Sequence, residues 1–315
     1  MNSHYMRRTK RTTSSLKKKH VVIVGVGALG SAASVLLARI GIGKLTLIDR
    51  DCVEAENLRH QNLYTLGDVG ESKASAAVRH LRKINPDIRY VSFVADLIAE
   101  NSSLLQSDLI LDGTDNFQTR FLINEFSHKH KIPWIYAAGL RDEGYVHAYV
   151  PEMGSCFACI FGEAYGLESC ETSGILPTTI SMIASLQIHE ALKILSGKKP
   201  EEALLHCKLS DDAPERLSLP NKKDCVICQQ ELYPYLSGKK EMSLVRLCGT
   251  GAYQLRVRNL DLIQLEKKLQ WIGDVKTFSA GLHFQQLTIF SDGRILIKAQ
   301  TLTEAKKICA RYIGV

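Results

Sequence analysis

Apolar and polar positions along the first half of the chain predict short buried strands separated by longer helices. The fully apolar run from Val21 to Val24 is typical of a parallel strand, and the pattern from Ala28 to Ile40 predicts the helix that follows it. Further strand patterns lie at Leu45–Ile48, Ile88–Val94, Asp108–Leu111 and Trp134–Ala137, and further helical patterns at about 71–85 and 116–130. This alternation indicates an α/β fold with a doubly wound, mostly parallel, Rossmann-like sheet.

The pattern changes after Gly144. Pro177 suits the first turn of an apolar-periodic helix over 178–195, and the polar, irregular stretch 198–224 predicts a loop. From about 240, strands and helices alternate again, with an Asp292-Gly293 hairpin signal between two apolar runs. We therefore divide the chain into an N-terminal arm (1–20), an α/β domain (21–238) and a small α+β domain (239–315).

Composition and charge narrow the function classes. The chain has 315 residues, 45% of them hydrophobic, and a net charge of +7. The basic residues of the arm account for the whole excess, so the folded body favours neither a nucleic-acid groove nor an anionic membrane as partner. The acid-poor arm also has the composition of a transit peptide, but it lacks an apolar face. The uncharged stretch 21–38 contains three glycines, and we expect a cytoplasmic protein without a membrane span.

A glycine motif follows the first predicted strand. Gly25, Gly27 and Gly30 are spaced as in nucleotide-binding turns, Ala28 begins the helix, and Asp49 follows about twenty residues later at the end of the second strand. Glycines let phosphates approach the backbone at the helix N-terminus, and the acid can hold ribose hydroxyls. Alone, this motif fits a nicotinamide-dependent oxidoreductase equally well.

Four ordered motifs after the glycines are more specific. They are Asp49-Arg-Asp51-Cys-Val, Asn57-Leu-Arg-His60-Gln61, Gly70-Glu-Ser-Lys73 and Thr114-Asp115-Asn116. In residue type, order and spacing, the chain over about 20–230 resembles the ThiF, MoeB and ubiquitin-activating-enzyme family. The resemblance implies ATP-dependent adenylation of the C-terminal Gly-Gly carboxylate of a ubiquitin-like sulfur-carrier protein, by a homodimer that serves thiamin or molybdopterin synthesis. The C-terminal extension favours the ThiF type.

The same resemblance assigns roles to residues of this chain. Lys73 and Arg59 would place cations on the phosphates of ATP, and Asp115 would hold Mg²⁺. The nucleotide would also contact the glycine turn and a set of polar side chains, namely Asp49, Asp51, Asn57, His60, Gln61 and Asn116. Singly, a lysine that begins a helix is usually a surface residue, and Thr-Asp-Asn is usually a turn or an N-cap.

The chain departs from the family pattern at two places. His60 stands where the family carries arginine, and a mostly neutral histidine cannot replace a guanidinium on phosphate. Either Arg59 reaches in from the adjacent position or ATP binding is weakened, so a catalytically degenerate binding scaffold is an alternative function. Arg7, in Tyr5-Met-Arg7, would be the remnant of an arginine that reaches the partner subunit's ATP, although the spacer before Val21 is shortened.

The cysteines predict a metal site. Cys156 with Cys159, and Cys225 with Cys228, form two C-x-x-C pairs, and four thiolates suit a structural, tetrahedral Zn²⁺. Cys170 lies shortly before the Pro177 helix. Among ThiF-like proteins a cysteine at this place can join the activated carrier, so Cys170 is either a nucleophile or an inert loop cysteine.

Overall fold

The computed structural model describes residues 15–162, 174–220, 224–239, 244–246, 252–257, 260–278 and 280–313. Within these ranges the chain forms two compact units, one that ends at residue 239 and one that begins at residue 244. The predicted site residues Arg7 and Cys170 lie outside the described ranges. Among the described helices, none has both the length and the apolar character that a membrane crossing requires.

An eight-stranded sheet in the order β3-β2-β1-β4-β5-β6-β7-β8 lies at the centre of the larger unit. Its first five strands in the chain run parallel, and the last three pair antiparallel. This topology confirms the predicted Rossmann-like α/β fold. The strands are β1 His20–Val24, β2 Lys44–Ile48, β3 Arg89–Phe93, β4 Leu109–Asp112, β5 Trp134–Leu140, β6 Glu143–Tyr149, β7 Leu204–Lys208 and β8 Glu215–Leu217.

Helices cover both faces of this sheet. They are α1 Ala28–Ile40, α2 Lys73–Ile84, α3 Phe117–His130, α4 Phe157–Phe161 and α5 Pro177–Leu195. Val21 and Ile23 pack with apolar residues of α1, α2 and α5, whereas Val22 and Val24 pack with those of α3. Because both sides of the strand are buried, every position from Val21 to Val24 must be apolar, which explains the uninterrupted run in the sequence.

The stretch 198–224, predicted to be a loop, contains two strands instead. β7 pairs with β6, and β8 pairs with β7 at the edge of the sheet. Leu204, Leu205 and Cys207 are buried, while β8 is mostly exposed. Strands this short and this close to a sheet edge lack the long apolar runs that mark central strands, so pairing with β6 decides their conformation.

The smaller unit has a six-stranded antiparallel sheet in the order β11-β12-β13-β14-β10-β9. Its elements are β9 Leu244–Arg246, β10 Ala252–Arg256, α6 Leu262–Gln270, β11 Lys276–Phe278, β12 Gly281–Phe284, β13 Leu287–Phe290, β14 Arg294–Lys298 and α7 Leu302–Tyr312. β13 and β14 pair across the turn at Asp292 and Gly293, which confirms the predicted hairpin. A separate apolar core includes Leu269, Phe284 and Ile295.

Candidate active site

A tight turn joins β1 to α1 through three glycines. Gly25 has a φ of +82°, and a Cβ built on it would lie 2.6 Å from the carbonyl oxygen of Gly113. A Cβ on Gly30 would lie 1.9 Å from the carbonyl oxygen of Gly25. At Gly27, by contrast, the nearest atom to a Cβ would be Gln61 Nε2, at 3.9 Å. The turn is packed on its inner side and open at Gly27, where backbone N–H groups of the helix N-terminus suit an anion.

Gly113, which the sequence analysis did not single out, completes this packing. It follows β4, and a Cβ on it would lie 2.4 Å from the carbonyl oxygen of Gly25 and 3.0 Å from the Cα of Gly30. The ends of β1 and β4 thus meet backbone to backbone, at the point where the strand order reverses. Its only sequence signal was its position directly before the Thr114-Asp115-Asn116 motif.

Asp49 connects the glycine turn to the end of β2. Its carboxylate accepts hydrogen bonds from the backbone N–H groups of Val26, at 2.6 Å, and of Asp51, at 2.7 Å. Burial raises the pKa of Asp49, and the nearby Asp51 carboxylate raises it further, while Lys73 acts in the opposite sense. Two backbone donors leave acceptor capacity on the carboxylate, so it can still receive the hydroxyl groups of a ribose.

Lys73 begins α2 and is only 7% exposed. Its Nζ lies 3.6 Å from Asp51 Oδ2, and its backbone N–H donates to the carbonyl oxygen of Asp51 at 2.8 Å. Burial acts to lower the pKa of Lys73, but nearby carboxylates, Asp51 and Asp49 foremost, outweigh burial and raise it. The buried ammonium is therefore charged at neutral pH. The hydroxyl group of Tyr64 lies 2.7 Å from the carbonyl oxygen of Val26 and 3.2 Å from that of Lys73, and so links helix and glycine turn.

The loop before α2 is held by Asp68, which is 2% exposed. Burial would raise the pKa of Asp68, but hydrogen bonds from Arg79, from the backbone and hydroxyl group of Thr65, and from His80 hold it well below its usual range. Arg79 Nη2 lies 2.5 Å and His80 Nε2 2.8 Å from the carboxylate. The ionised carboxylate therefore fixes the approach of the chain to Lys73.

Replacing Asp68 with asparagine should lower the free energy of unfolding by about 3 kcal/mol at pH 7. A carboxylate whose pKa is lower in the folded than in the unfolded state stabilises the folded protein at pH values above its unfolded-state pKa, here about 3.9. This stabilisation is lost as the pH falls through the folded-state pKa. The difference between the unmodified protein and Asp68→Asn should therefore shrink below about pH 4. Urea unfolding between pH 2.5 and 7 checks this, with exposed Asp87→Asn as control. A difference that stays constant with pH would contradict the assignment.

The predicted phosphate-side residues Asn57, Arg59, His60 and Gln61 lie in and after a short 3₁₀ helix, Ala55–Arg59. Arg59 is exposed, whereas burial and then the charge of Lys73 lower the pKa of His60. The charge of Lys73 therefore acts on the partly buried His60, which is a neutral ring at pH 7, whereas Arg59 lies at the surface. Gln61 is 4% exposed, and among the described residues its Oε1 has no hydrogen-bond partner. This buried acceptor beside Gly27 is what a ligand donor would satisfy.

Asp115 and Asn116 lie between the end of β4 and the start of α3. Asn116 Oδ1 accepts from the Thr119 N–H at 2.8 Å, so Asn116 caps α3 as helix N-caps usually do. Asp115 is exposed, yet surrounding protein atoms reduce its hydration and raise its pKa, and the Asp51 carboxylate raises it further. Arg50 and Arg120 act in the opposite sense.

Arg50 is a largely buried cation, its side chain 12% exposed, that the sequence analysis overlooked. Burial acts to lower the pKa of its guanidinium, but nearby carboxylates outweigh burial and raise it. In decreasing order of their effect on this pKa, the carboxylates belong to Asp96, Asp51, Asp115 and Asp49. The structure therefore brings the predicted residues Asp49, Asp51, Lys73 and Asp115 into one electrostatic neighbourhood. Oxygen ligands of this kind suit a hard divalent cation, whose charge would offset the excess of carboxylates. Arg50 is the middle residue of the Asp-x-Asp motif. This middle position is variable, so the motif identified the two acids and not the arginine.

The four predicted metal-binding cysteines lie together on the α3 face. Their sulfur atoms are all within 4.8 Å of one another. Cys156 Sγ lies 3.8 Å from Cys159 Sγ and 3.7 Å from Cys225 Sγ, and Cys159 Sγ lies 3.4 Å from Cys228 Sγ. A tetrahedral zinc with bonds of about 2.3 Å requires sulfur separations of about 3.8 Å. The donor set fits zinc and leaves no position for a reacting ligand.

Helix α3 anchors both cysteine segments. Asn124 Oδ1 accepts from the backbone N–H of Phe157 at 3.0 Å, next to Cys156, and Glu125 Oε2 accepts from that of Leu236 at 2.7 Å. The rings of Phe121 and Tyr235 stack with centroids 5.2 Å apart. The cysteine cluster is thus attached to the helix whose N-terminus follows Asp115.

The chain is similar in sequence to known proteins of one family. Residues 2–228 match the ThiF family model. The chain is 34% identical to the sulfur carrier protein ThiS adenylyltransferase of Bacillus subtilis (strain 168), over 95% of this chain and 94% of that protein. It is 39% identical to the molybdopterin-synthase adenylyltransferase of Escherichia coli (strain K12), over 58% of this chain and 75% of that protein.

Solved structures share the fold. A crystal structure of E. coli MccB with ATP has a TM-score of 0.60 and 22% sequence identity, and the match covers 69% of this chain and 68% of that one. A second crystal structure of E. coli MccB has a TM-score of 0.63 and 23% identity over 71% of this chain and 69% of that one. At this level of identity the likeness concerns the fold alone.

Proposed function

The chain belongs to the ThiF family, and from this premise we propose that it adenylates the C-terminal carboxylate of a ubiquitin-like sulfur-carrier protein with ATP. The proposal rests on one observation above all. A buried, charged lysine and three carboxylates lie beside an open glycine turn at the ends of β2 and β4. Adenylation requires this combination, because a highly charged triphosphate must be bound while its α-phosphorus is attacked.

The nucleotide would lie across the ends of β1, β2 and β4. Backbone N–H groups at Gly27 and Ala28 would donate hydrogen bonds to phosphate oxygens, and the Asp49 carboxylate would accept hydrogen bonds from the ribose hydroxyl groups. Gln61, buried and with an unsatisfied Oε1, would contact the same ligand from the side of Gly27. Asn57, whose Nδ2 donates to Glu54 Oε2 at 3.0 Å, would lie at the exposed rim of the site.

The carboxylate oxygen of the carrier would form a bond to the α-phosphorus, and the bond from that phosphorus to pyrophosphate would break. Lys73 would stabilise the negative charge on the phosphoryl oxygens. His60 would supply a hydrogen bond but not a fixed charge, because its lowered pKa leaves it neutral. Arg59 is exposed and would have to turn inward to reach a phosphate.

Two metal ions belong to the proposal. Asp115 would hold Mg²⁺, whose chemistry is to neutralise the triphosphate and the leaving pyrophosphate. Asn116 caps α3 and so fixes the backbone beside Asp115. Cys156, Cys159, Cys225 and Cys228 would hold a structural Zn²⁺. The described residues place these thiols in no disulfide, and reduced thiols of this kind suit a cytoplasmic enzyme.

The carrier is proposed to be of the ThiS type, with thiamin synthesis as its pathway. The relative named for ThiS aligns along nearly the whole chain, whereas the molybdopterin-synthase relative aligns with 58% of it. We also propose a homodimer in which Arg7 reaches the partner subunit's nucleotide. Cys170, if it is the nucleophile, would attack the acyl carbon of the adenylate as a thiolate, so that a thioester forms and AMP leaves.

ATP–pyrophosphate exchange tests the function directly. We expect label to enter ATP only when Mg²⁺ and a carrier ending in Gly-Gly are both present, because pyrophosphate exchange requires reversible acyl-adenylate formation. A carrier without its last glycine is the matched control and should reduce exchange at least about a hundredfold, because its carboxylate no longer reaches the phosphorus.

Two results would contradict the proposal. Carrier binding with ATP left intact would identify a catalytically degenerate scaffold, the alternative that neutral His60 favours. Nicotinamide absorbance in the purified protein, with no exchange under any condition, would identify an oxidoreductase that uses the same glycine turn.

A further inference from the structure

A buried ion pair lies next to the segment that carries Asp115. Arg120 Nε, on α3, lies 2.9 Å from Oδ2 of Asp112, the last residue of β4, and the two side chains are 8% and 0% exposed. The guanidinium carbon of Arg120 lies 5.0 Å from the ring centroid of Tyr136 and 5.7 Å from that of Phe117. Protein atoms therefore enclose both charges.

This ion pair is bonded to every polar group of Thr114, the residue before Asp115. Asp112 Oδ1 accepts hydrogen bonds from the Thr114 backbone N–H at 2.8 Å and from its hydroxyl group at 2.6 Å. Arg120 Nη2 donates to the Thr114 carbonyl oxygen at 2.5 Å. That carbonyl belongs to the planar peptide group that joins Thr114 to Asp115, so its direction fixes where Asp115 begins. We call Asp112, Thr114 and Arg120 the Thr114 clamp.

The residues around the clamp are fixed as well. Gln187 of α5 is buried on the other face of the sheet, and its Nε2 donates to the Asp112 carbonyl oxygen at 2.8 Å. On the far side of Asp115, Asn116 caps α3. The backbone is thus held before and after Asp115, whose own side chain is exposed.

Stability alone does not explain the buried pair of Asp112 and Arg120. Removing two charges from water is costly, and apolar side chains of similar volume often stabilise a protein as well or better. An apolar pair could not, however, supply directed hydrogen bonds to the N–H, hydroxyl and carbonyl groups of Thr114. The guanidinium fork can bond a carboxylate and a carbonyl oxygen at once. Arg120 also acts to lower the pKa of Asp115, as expected of a nearby cation.

We infer that Asp112 and Arg120 are positioning residues for Asp115. They fix the peptide group before Asp115, and its carboxylate is thereby held in place for the divalent cation that accompanies the nucleotide. A ligand-binding side chain needs such support, because displacements of about 0.5 Å already weaken a site. This inference rests on the proposed function, since it assigns Asp115 a Mg²⁺ ion to bind.

The test is Arg120→Lys, which keeps a positive charge beside Asp112. An ammonium group cannot bond Asp112 and the Thr114 carbonyl as the planar fork does. We expect the apparent KM for Mg²⁺ in carrier-dependent ATP–pyrophosphate exchange to rise about tenfold, the usual cost of losing a residue that orients a metal ligand. At saturating Mg²⁺, kcat should stay within about threefold. A purely structural role would instead lower the amount of active protein, and so kcat, and leave the KM for Mg²⁺ unchanged.

Thr114→Val carries the same test if Arg120→Lys does not fold. Valine has nearly the shape of threonine but lacks the hydroxyl group that donates to Asp112. Loss of one hydrogen bond should raise the apparent KM for Mg²⁺ about fivefold. Thr114→Ser keeps the hydroxyl group and should stay within about twofold of the unmodified protein.

The matched control is Arg216→Lys, which makes the same chemical change in an ion pair at the edge of the same sheet. Arg216 lies on β8, and its Nε is 3.2 Å from Glu201 Oε2. This pair is more exposed than that of Asp112 and Arg120. Both kcat and the KM for Mg²⁺ should stay within about twofold, as surface substitutions usually do.

A second measurement does not require catalysis. Amide hydrogen–deuterium exchange of a peptide covering 113–116, without nucleotide, should be at least about tenfold faster in Arg120→Lys, because the hydrogen bond from the Thr114 N–H opens more often. Peptides from α2 should not change. Unchanged amide exchange at 113–116 would overturn the inference, as would a loss of kcat with an unchanged KM for Mg²⁺. Absence of pyrophosphate exchange in the unmodified protein would count against the proposed function, and amide exchange would then decide on the clamp.

Discussion

Replacing Lys73 with methionine should lower the rate of carrier-dependent exchange about a thousandfold. A single preorganised donor or cation aimed at developing charge contributes about a hundredfold to a thousandfold in comparable sites, and Lys73 is buried beside the glycine turn, where its charge is poorly screened. Methionine keeps most of the volume of the side chain, so the loss should appear in kcat more than in protein folding. Exchange at saturating ATP, with thermal unfolding measured in parallel, checks this.

Lys83→Met is the matched control for this prediction. Lys83 lies on the same helix, near its last turn, and is exposed. Its replacement removes one lysine charge from α2 without touching the site, so exchange should stay within about twofold, as surface substitutions usually do. If both variants retained similar activity, Lys73 would be an ordinary buried ion-pair residue and the main support for the proposed chemistry would be lost.

Replacing Cys156 with serine should abolish stoichiometric zinc binding and lower the melting temperature by about 10–20 °C. Binding of structural zinc contributes about 10 kcal/mol or more in small zinc domains, and we expect about half of this in a unit with a large core of its own. At 2–4 °C for each kcal/mol, a loss of about 5 kcal/mol gives the stated shift. Zinc content by atomic emission and thermal unfolding measure the two effects.

Cys207→Ser separates loss of the metal from the general cost of a serine in a protein core. Cys207 is 2% exposed on β7 and does not belong to the cysteine cluster. This control should keep its zinc and lose only about 1–2 kcal/mol, the ordinary cost of a buried hydroxyl group. Equal melting temperatures for the two variants, or full zinc content in Cys156→Ser, would show that the cluster is not a metal site.

Loss of zinc should also affect the structure of the proposed active site. Asn124 and Glu125 attach the cysteine segments to α3, and the N-terminus of α3 follows Asp115. A protein without zinc would therefore lose rigidity in the element that positions the proposed Mg²⁺ ligand. The cysteine pairs indicated the metal because two C-x-x-C pairs supply four thiolates with the spacing of a zinc site, but their attachment to α3 depends on contacts between distant residues.

Sequence patterns were sufficient to predict the strands at the centre of the sheet but not the strands at its edge. Val21 to Val24 is apolar throughout because helices cover both faces, and such a run can be recognised without knowing its neighbours. β7 and β8 lie at the edge, where short length and exposed polar positions remove the signal. The hairpin of β13 and β14 was predictable because its turn residues, Asp292 and Gly293, carry the information locally.

For the site, the sequence by itself determined which residue types are present and in what order. It gave the glycine turn, the acid at the end of β2, the lysine that begins α2, the Thr-Asp-Asn segment and the paired cysteines, because each depends on local geometry or on ligand chemistry. Only the tertiary structure decided which side chains face one another. It left Arg59 exposed and His60 partly buried within the influence of the Lys73 charge, brought Gly113 against Gly25, and put Arg50 among four carboxylates. The physical reason is that burial and charge neighbourhood arise where strand ends from distant parts of the chain meet, and no local pattern records them.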